Sequence, residues 1–327
     1  MIEADAREAM RVTGTEFEEL LVFGGSGSPR LTAAICDHLG IKPGRGEVIR
    51  FSDGNLFVKV NQNVRGRHVH LVQSSVFPAN DNFMELLFWI DAFKRASAAS
   101  VTVLMPYFSY AKADKKDEPR VSIRARVCAQ SIEAAGADRV VTMDLHAPQI
   151  QGFFTRPVDD LYALPLLAEA IGDSGDLVVV SPDAGFAKQA RKYARRLGAP
   201  LAIADKERVD HSETARVVDL IGDVRGRDAV IVDDFTITAG TLTEVAESVM
   251  EHGARSVRAA VTHGVFTGKS MERLDSSPIS RLYVTDTVEN QPVRLSPKVQ
   301  KVSVAPLFAE AITRIHRRES ISVLFDF

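Results

Sequence analysis

Short apolar runs alternate with amphipathic stretches along most of the chain. ELLVFGG (19–25) is an apolar run that stops at glycines, and LTAAICDHLG (31–40) follows it with helical spacing and a terminal glycine. The β-branched run HVHLVQSS (68–75) leads into MELLFWIDAFKRAS (84–97), where Leu87, Ile90 and Phe93 or Lys94 recur at helical intervals. SVTVLMPYF (100–108), RVVTMDL (139–145), DLVVVSP (176–182), PLAIADK (200–206), DAVIVDDF (228–235), SVRAAVTHG (256–264) and RLYVTDTV (281–288) read as further strands. Uninterrupted apolar runs with helices between them predict an α/β fold of parallel sheets covered on both faces.

The pattern repeats. VRGRHVHLVQSS at 64 and VRGRDAVIVDDF at 224 stand 160 residues apart, whereas PLLAEAI at 165 and PLFAEAI at 306 stand only 141 apart. The order of matching segments is the same in both halves, which predicts two homologous doubly wound parallel-sheet domains, residues 1–155 and 156–327. The shorter last offset implies an insertion near 111–125 in the first half. It leaves open whether the two terminal helices exchange between halves.

Composition narrows the classes. In 327 residues, 40 basic and 43 acidic side chains leave a net charge of −3, which speaks against a nucleic-acid or membrane-surface binder. The longest apolar runs, LVVV (177–180) and AVIV (229–232), fall far short of the roughly 18 residues a membrane span needs. The acidic start, MIEADAREAMRVTGTEFEEL, lacks the apolar stretch of a signal peptide, and residues 1–17 read as a short helix or loose tail. Cys36 and Cys128 each sit in an apolar helical stretch, as buried reduced thiols do, so a cytoplasmic location is expected.

In open parallel sheets, ligands bind beyond the carboxyl ends of the strands. VIVDDFTITAGTLTEVAESVM (230–250) is the most loaded such place. An apolar strand ends in Asp233 and Asp234, then a small-residue loop, Thr236 to Thr241, enters a helix. Backbone N–H groups and a helix N-terminus suit a phosphate, while the carboxylates suit ribose hydroxyls or a magnesium ion. Together they predict a sugar-phosphate site. GGSGSPR (24–30) lacks the lysine of a Walker loop and has Arg30 where a dinucleotide fingerprint has its third glycine. It can still turn tightly near a ligand.

FSDGN (51–55), MELLFWIDAFKRASA (84–98), PYFSYAKADKKDEPR (106–120), MDLHAPQIQGFF (143–154), VSPDAG (180–185), DKER (205–208) and VDDFTITAGT (232–241) together make the chain resemble the ribose-phosphate diphosphokinase (phosphoribosyl pyrophosphate synthetase) family. The resemblance covers nearly everything after residue 18. It implies two phosphoribosyltransferase-type domains and a pyrophosphoryl transfer from ATP to ribose 5-phosphate, serving nucleotide biosynthesis. It implies ATP binding by Asp53, Gly54, Asn55, Lys112, Ala113 and Asp114, and Mg2+ at His146 and Asp183. It implies catalysis by Lys206 and Arg208, with ribose 5-phosphate bound by Asp233, Asp234, Ile237, Thr238, Ala239, Gly240 and Thr241. A homo-oligomer of dimers assembling to a hexamer is implied too.

Three departures bear on nucleotide choice and regulation. Asn55 replaces a carboxylate, Lys112 and Ala113 stand where the family has an Arg-Gln pair, and Ile237 replaces an aspartate. A phosphoribosyltransferase would share the 233–241 loop, but the first-half loops and DLHAPQIQGFF speak against it. A non-catalytic partner subunit is disfavoured by Lys206, Arg208 and Asp233. The aromatics Phe77, Phe83, Trp89, Phe108, Phe153 and Phe154, in or beside polar loops, lead us to expect an exposed interface, with 111–125 as an exchanging arm. Tyr107, Phe108 and Tyr110 can stack on a base or fill the interior.

Overall fold

The computed structural model describes residues 19–172, 175–207 and 216–325. Two compact units emerge: one runs to Leu161 and resumes at Ala305, and the other spans Tyr162–Val304.

The first unit begins with β1 (Leu20–Gly24), α1 (Pro29–Leu39) and an antiparallel hairpin, β2 (Gly46–Arg50) and β3 (Leu56–Val60). It continues with β4 (His68–Val72), α2 (Ala79–Arg95), β5 (Ser100–Met105), α3 (Arg124–Ala135), β6 (Arg139–Met143) and β7 (Val158–Leu161). Its sheet is parallel throughout, in the order β1-β4-β5-β6-β7. Local chemistry sets the helix ends. Pro29 opens α1, and Gly40 closes it in the left-handed region, φ 67°, where a side chain would be strained. Asp81 in the first turn of α2 and Lys94 and Arg95 in its last complement the helix dipole.

The second unit contains α4 (Leu164–Ile171), β8 (Leu177–Ser181), α5 (Ala187–Arg196), β9 (Leu201–Glu207), β10 (Arg216–Ile221), β11 (Asp228–Thr236) and α6 (Gly240–Glu251). β12 (Ser256–Gly264), α7 (Ser270–Ser276), β13 (Ile279–Thr285) and β14 (Val299–Val302) follow. The strand order is β10-β9-β8-β11-β12-β13-β14, parallel except for β10 against β9. LVVV and AVIV form the centre of this sheet and are buried at every position, the signature of strands covered on both faces.

The expected α/β architecture is thus present, with β2, β3, β7, β10 and β14 added to the strands read from the apolar pattern. The boundary drawn at 155/156 moves. β7 completes the first sheet, and the last helix, α8 (Ala305–Arg317), returns to the first unit, where it packs on α1. α4 follows the first sheet in the chain yet packs on β12, β13 and β14 of the second. The PLLAEAI and PLFAEAI helices are therefore exchanged between units. Phe308 and Ile312 of α8 are fully buried. Two such side chains contribute about 3–6 kcal/mol together, enough to hold a short helix in place.

The aromatics expected at an exposed interface lie mostly in the first unit's core. Phe83, Trp89, Phe108 and Phe154 are buried and Phe153 packs against them half-buried, while Phe77 is half-buried. Trp89 stacks on Phe93 with ring centroids 5.4 Å apart, and Phe23 meets Phe93 at 4.7 Å. Other large apolar side chains are exposed: Ile49, Phe51 and Phe57 on the hairpin, Met84 and Phe88 on α2, and Val127, Ile221 and Val323 elsewhere. Sequence spacing could not separate the two sets, since both occur beside polar residues. Residues 111–125 form turns that lead into α3 rather than a regular arm, with Ala111 and Ala113 buried and Lys115 to Arg120 exposed.

One core position is chemically awkward. His70 lies on the β4 face opposite Val69 and Leu71, in register with Val22 and Thr102. It is buried, and neither ring nitrogen makes a hydrogen bond among the described residues. Burial first, then the charges of His316 on α8, His68 and Arg139, lowers its pKa to about 3, outweighing the His68 carbonyl. An unfolded histidine titrates near 6.5. Between these values the unfolded chain binds the extra proton, so stability falls as pH falls. We predict that the His70 contribution costs about 2 kcal/mol on going from pH 7.5 to pH 5. His70→Leu should flatten the pH dependence of the urea midpoint by that amount; an unchanged slope would refute it.

Candidate active site

The second sheet reverses its winding at β8, with β9 on one side and β11 on the other. Connections that leave adjacent carboxyl ends in opposite directions open a crevice there. Three carboxylates stand at that edge. Asp183 follows β8; its backbone carbonyl accepts from Ser181 Oγ at 2.8 Å and its carboxylate from the Phe186 N–H at 2.9 Å. Asp233 and Asp234 end the apolar run of β11. Asp233 Oδ1 accepts from the Asp234 N–H, and Asp234 Oδ1 from the Phe235 N–H, both at 2.9 Å.

Burial, then the neighbouring charges of Asp234 and Asp183, pushes the Asp233 carboxyl well above the usual carboxylate range. Such a group favours its protonated form more than a free carboxylate does, and a cation beside it favours the carboxylate. The oxygen donors suit a hard divalent ion. Among the described residues no three His, Cys, Asp or Glu side chains form a metal-binding group. An ion here would therefore draw further ligands from a substrate or water, as magnesium commonly does.

Beside these acids runs the loop Thr236–Thr241. Ala239 has φ 60° and α6 starts at Gly240, so the chain turns sharply into a helix N-terminus. The carbonyls of Thr236 and Ile237 accept from the N–H groups of Val265 and Thr267, each at 2.9 Å. The N–H groups of Thr238 and Ala239 donate to nothing among the described residues. Carbonyls tied back to the neighbouring segment, unengaged N–H groups and a helix dipole suit an anion. Ile237 is half-buried in this loop, and Thr241 lies in the first turn of α6. Lys206 belongs to β9, next to β8, paired with Val217 of β10. Arg208 lies outside the described residues.

The ATP-binding candidates lie in the first unit on separate segments. Asp53, Gly54 and Asn55 occupy the exposed turn of the β2–β3 hairpin rather than the carboxyl edge of the parallel sheet. Asn55 donates to Asp53 through its backbone N–H at 3.0 Å and its side-chain amide at 2.8 Å. These bonds lower the Asp53 pKa. Lys112 is exposed, Asp114 half-buried, and Ala113 is buried, its N–H bound to the Tyr110 carbonyl. Tyr107 and Phe108 are interior, and Tyr110 packs edge-on against Phe83.

His146 is exposed just after β6. Its turn is shaped by Asp144, φ 41°, and by buried Asp160, which accepts from the Leu145 N–H at 3.1 Å and Thr142 Oγ1 at 2.9 Å. Asp160 gave no signal in the sequence, because it acts on a turn 15 residues away. Glu85 and Gln73 were missed for the same reason. They accept from the N–H groups of Ser26 at 2.8 Å and Gly27 at 2.9 Å, so the glycine-rich loop 24–28 is filled by the protein's own oxygens. A phosphate would meet the Glu85 carboxylate there.

Comparison with known proteins finds relatives over nearly the whole chain. Residues 20–136 match the N-terminal domain of ribose phosphate pyrophosphokinase, and residues 212–326 match the phosphoribosyl synthetase-associated domain. A ribose-phosphate pyrophosphokinase of Caldanaerobacter subterraneus subsp. tengcongensis is 49% identical over 309 residues, covering 94% of this chain and 98% of that one. One of Rhizobium meliloti is 45% identical, covering 93% and 99%. The crystal structure of phosphoribosylpyrophosphate synthetase from Mycobacterium smegmatis superimposes with a TM-score of 0.84 at 36% identity, covering 92% of this chain and all of that one. With both phosphoribosyltransferase-type units matched, the chain belongs to the ribose-phosphate pyrophosphokinase family of enzymes.

Proposed function

We propose that the protein joins ATP and ribose 5-phosphate to give 5-phospho-α-D-ribose 1-diphosphate and AMP. The observation that carries this reading is the pairing of Asp233 and Asp234 with the anion cradle at 236–241, a layout suited to a sugar phosphate. The anomeric hydroxyl attacks the β-phosphorus in line. The bond from that phosphorus to the oxygen bridging to the α-phosphorus breaks, AMP leaves on that oxygen, and the hydroxyl proton passes to solvent.

Little covalent work falls to the protein in such a transfer; positioning and charge neutralisation dominate. The 236–241 loop holds the 5-phosphate, and Asp233 and Asp234 accept hydrogen bonds from the ribose hydroxyls. Lys206 and Arg208 neutralise charge on the transferring oxygens. Asp53, Gly54, Asn55, Lys112, Ala113 and Asp114 serve the nucleotide. Asp183 in the second unit and His146 in the first are the residues that would hold Mg2+, whose charge would offset that of the polyphosphate. The buried thiols, pushed up to about 12 at Cys36 and about 11 at Cys128 by burial, stay protonated, which fits a cytoplasmic enzyme.

A coupled assay should detect AMP only when ATP and ribose 5-phosphate are both present; release that needs a free base and the diphosphate product instead would favour a phosphoribosyltransferase. Lys206→Ala should lower kcat by about 100-fold or more, as loss of a charge-stabilising donor does, with little change in the KM for ribose 5-phosphate. A raised KM at unchanged kcat would place Lys206 in ground-state binding.

The raised pKa of Asp233 has a sign that can be read. A cation favours the carboxylate, so its binding should release a proton, and its apparent affinity should rise with pH until Asp233 ionises unaided. Titration with Mn2+ in two buffers of different ionisation enthalpy should show this release in the wild type and not in Asp233→Asn. Equal release in both would assign the proton elsewhere.

The exposed set Ile49, Phe51, Phe57, Met84 and Phe88 offers an apolar surface for a second copy of the chain. The expected state is a homo-oligomer of dimers, extending to a hexamer. Sedimentation should show a species well above 35.8 kDa; a fully active monomer would refute it.

A further inference from the structure

Phe266 has a left-handed backbone, φ 40°, and is fully buried. That conformation is rare for a bulky side chain, and it persists only where the surroundings hold it. Two features hold it here. Its ring belongs to the apolar core of the second unit. Gly264, two residues earlier, leaves room for that ring, because a Cβ at 264 would lie 2.6 Å from Cε2 and 2.9 Å from Cζ.

The consequence is felt on either side of Phe266. Val265 donates its N–H to the Thr236 carbonyl and Thr267 to the Ile237 carbonyl, each at 2.9 Å. The turn at 266 aims the N–H groups of its two neighbours at successive carbonyls of the adjacent loop. We propose that Phe266 is a positioning residue for ribose 5-phosphate: its core-anchored turn clamps the carbonyls of Thr236 and Ile237, which keeps the following N–H groups directed at the 5-phosphate. This rests on the reading of 236–241 as the 5-phosphate loop. The clamp matters more in this chain because Ile237 has no polar side chain with which to anchor the loop.

Three variants test it. Phe266→Ala should raise the KM for ribose 5-phosphate by about tenfold while kcat and the KM for ATP stay within about twofold, the pattern of lost uniform binding to one substrate. Amide exchange at 238–241 should speed up in the same variant, with β8 unchanged. Gly264→Ala should reproduce both effects by displacing the ring while Phe266 remains. Adding Phe266→Leu to Gly264→Ala should restore part of the affinity, since leucine has no atoms at Cε2 and Cζ.

An unchanged KM for ribose 5-phosphate, equal rises for both substrates, or unaccelerated exchange at 238–241 would overturn the inference. If Phe266→Ala does not fold, Gly264→Ala and the double variant decide it by the same measurements. If the wild type does not turn over ribose 5-phosphate, the functional reading fails, and the exchange data alone still decide whether the clamp exists.

Discussion

Like-charge repulsion at the carboxyl edge of the second sheet is the constraint on which the candidate site depends. Unit charges about 4 Å apart repel by roughly 4 kcal/mol at the effective dielectric of a protein surface, and burial adds to the cost for Asp233. A site that gathers Asp183, Asp233 and Asp234 is therefore incomplete by itself. It calls for a proton, a cation or hydroxyl donors. The stiffness that keeps these groups in place comes from β8 and β11, which are buried on both faces and paired in register from Asp228 to Ile231. A looser strand end would let the carboxylates separate into water and lose the demand for a ligand.

Two loops follow apolar strands and contain small residues, but they use their backbone N–H groups in opposite ways. At 24–28 the groups are consumed by Gln73 and Glu85, and the fixed carboxylate repels a second anion. At 236–241 the carbonyls are tied back by Val265 and Thr267. The distinction lies in whether the neighbouring elements supply acceptors or donors. Glycine content alone does not separate a loop whose N–H groups are taken from one whose N–H groups are left open.

The exchanged helices show how a duplicated chain becomes two interdependent folding units. α4 and α8 have nearly the same sequence around Leu164–Ile171 and Ala305–Ile312, so each presents a similar apolar stripe. α4 packs on the sheet it does not directly follow, and α8 packs on α1 of the first unit, with His316 edge-on to His68. Removal of the last helix would uncover α1 and the first sheet face that contains His70, although that helix is remote from them in sequence.

Period and punctuation made the central strands, the doubly wound architecture and the repeat legible from residues alone, because continuous apolar runs between amphipathic stretches fit little else. The DDFTITAGT segment was legible for the same reason: its chemistry is local, with strand end, loop and helix start contiguous in the chain. The short edge strands β7, β10 and β14 and the hairpin were not, since half-exposed strands of mixed polarity carry a weak periodic signal. Tertiary structure alone decided the remainder. It filled the first unit's core with Phe83, Trp89, Phe108 and Phe154, gave α4 and α8 to opposite units, and brought Asp160 and Glu85 to the turns they support. Those outcomes depend on contacts between residues far apart in the chain, and pairing across such distances is set by packing and hydrogen-bond satisfaction, which no local window of sequence records.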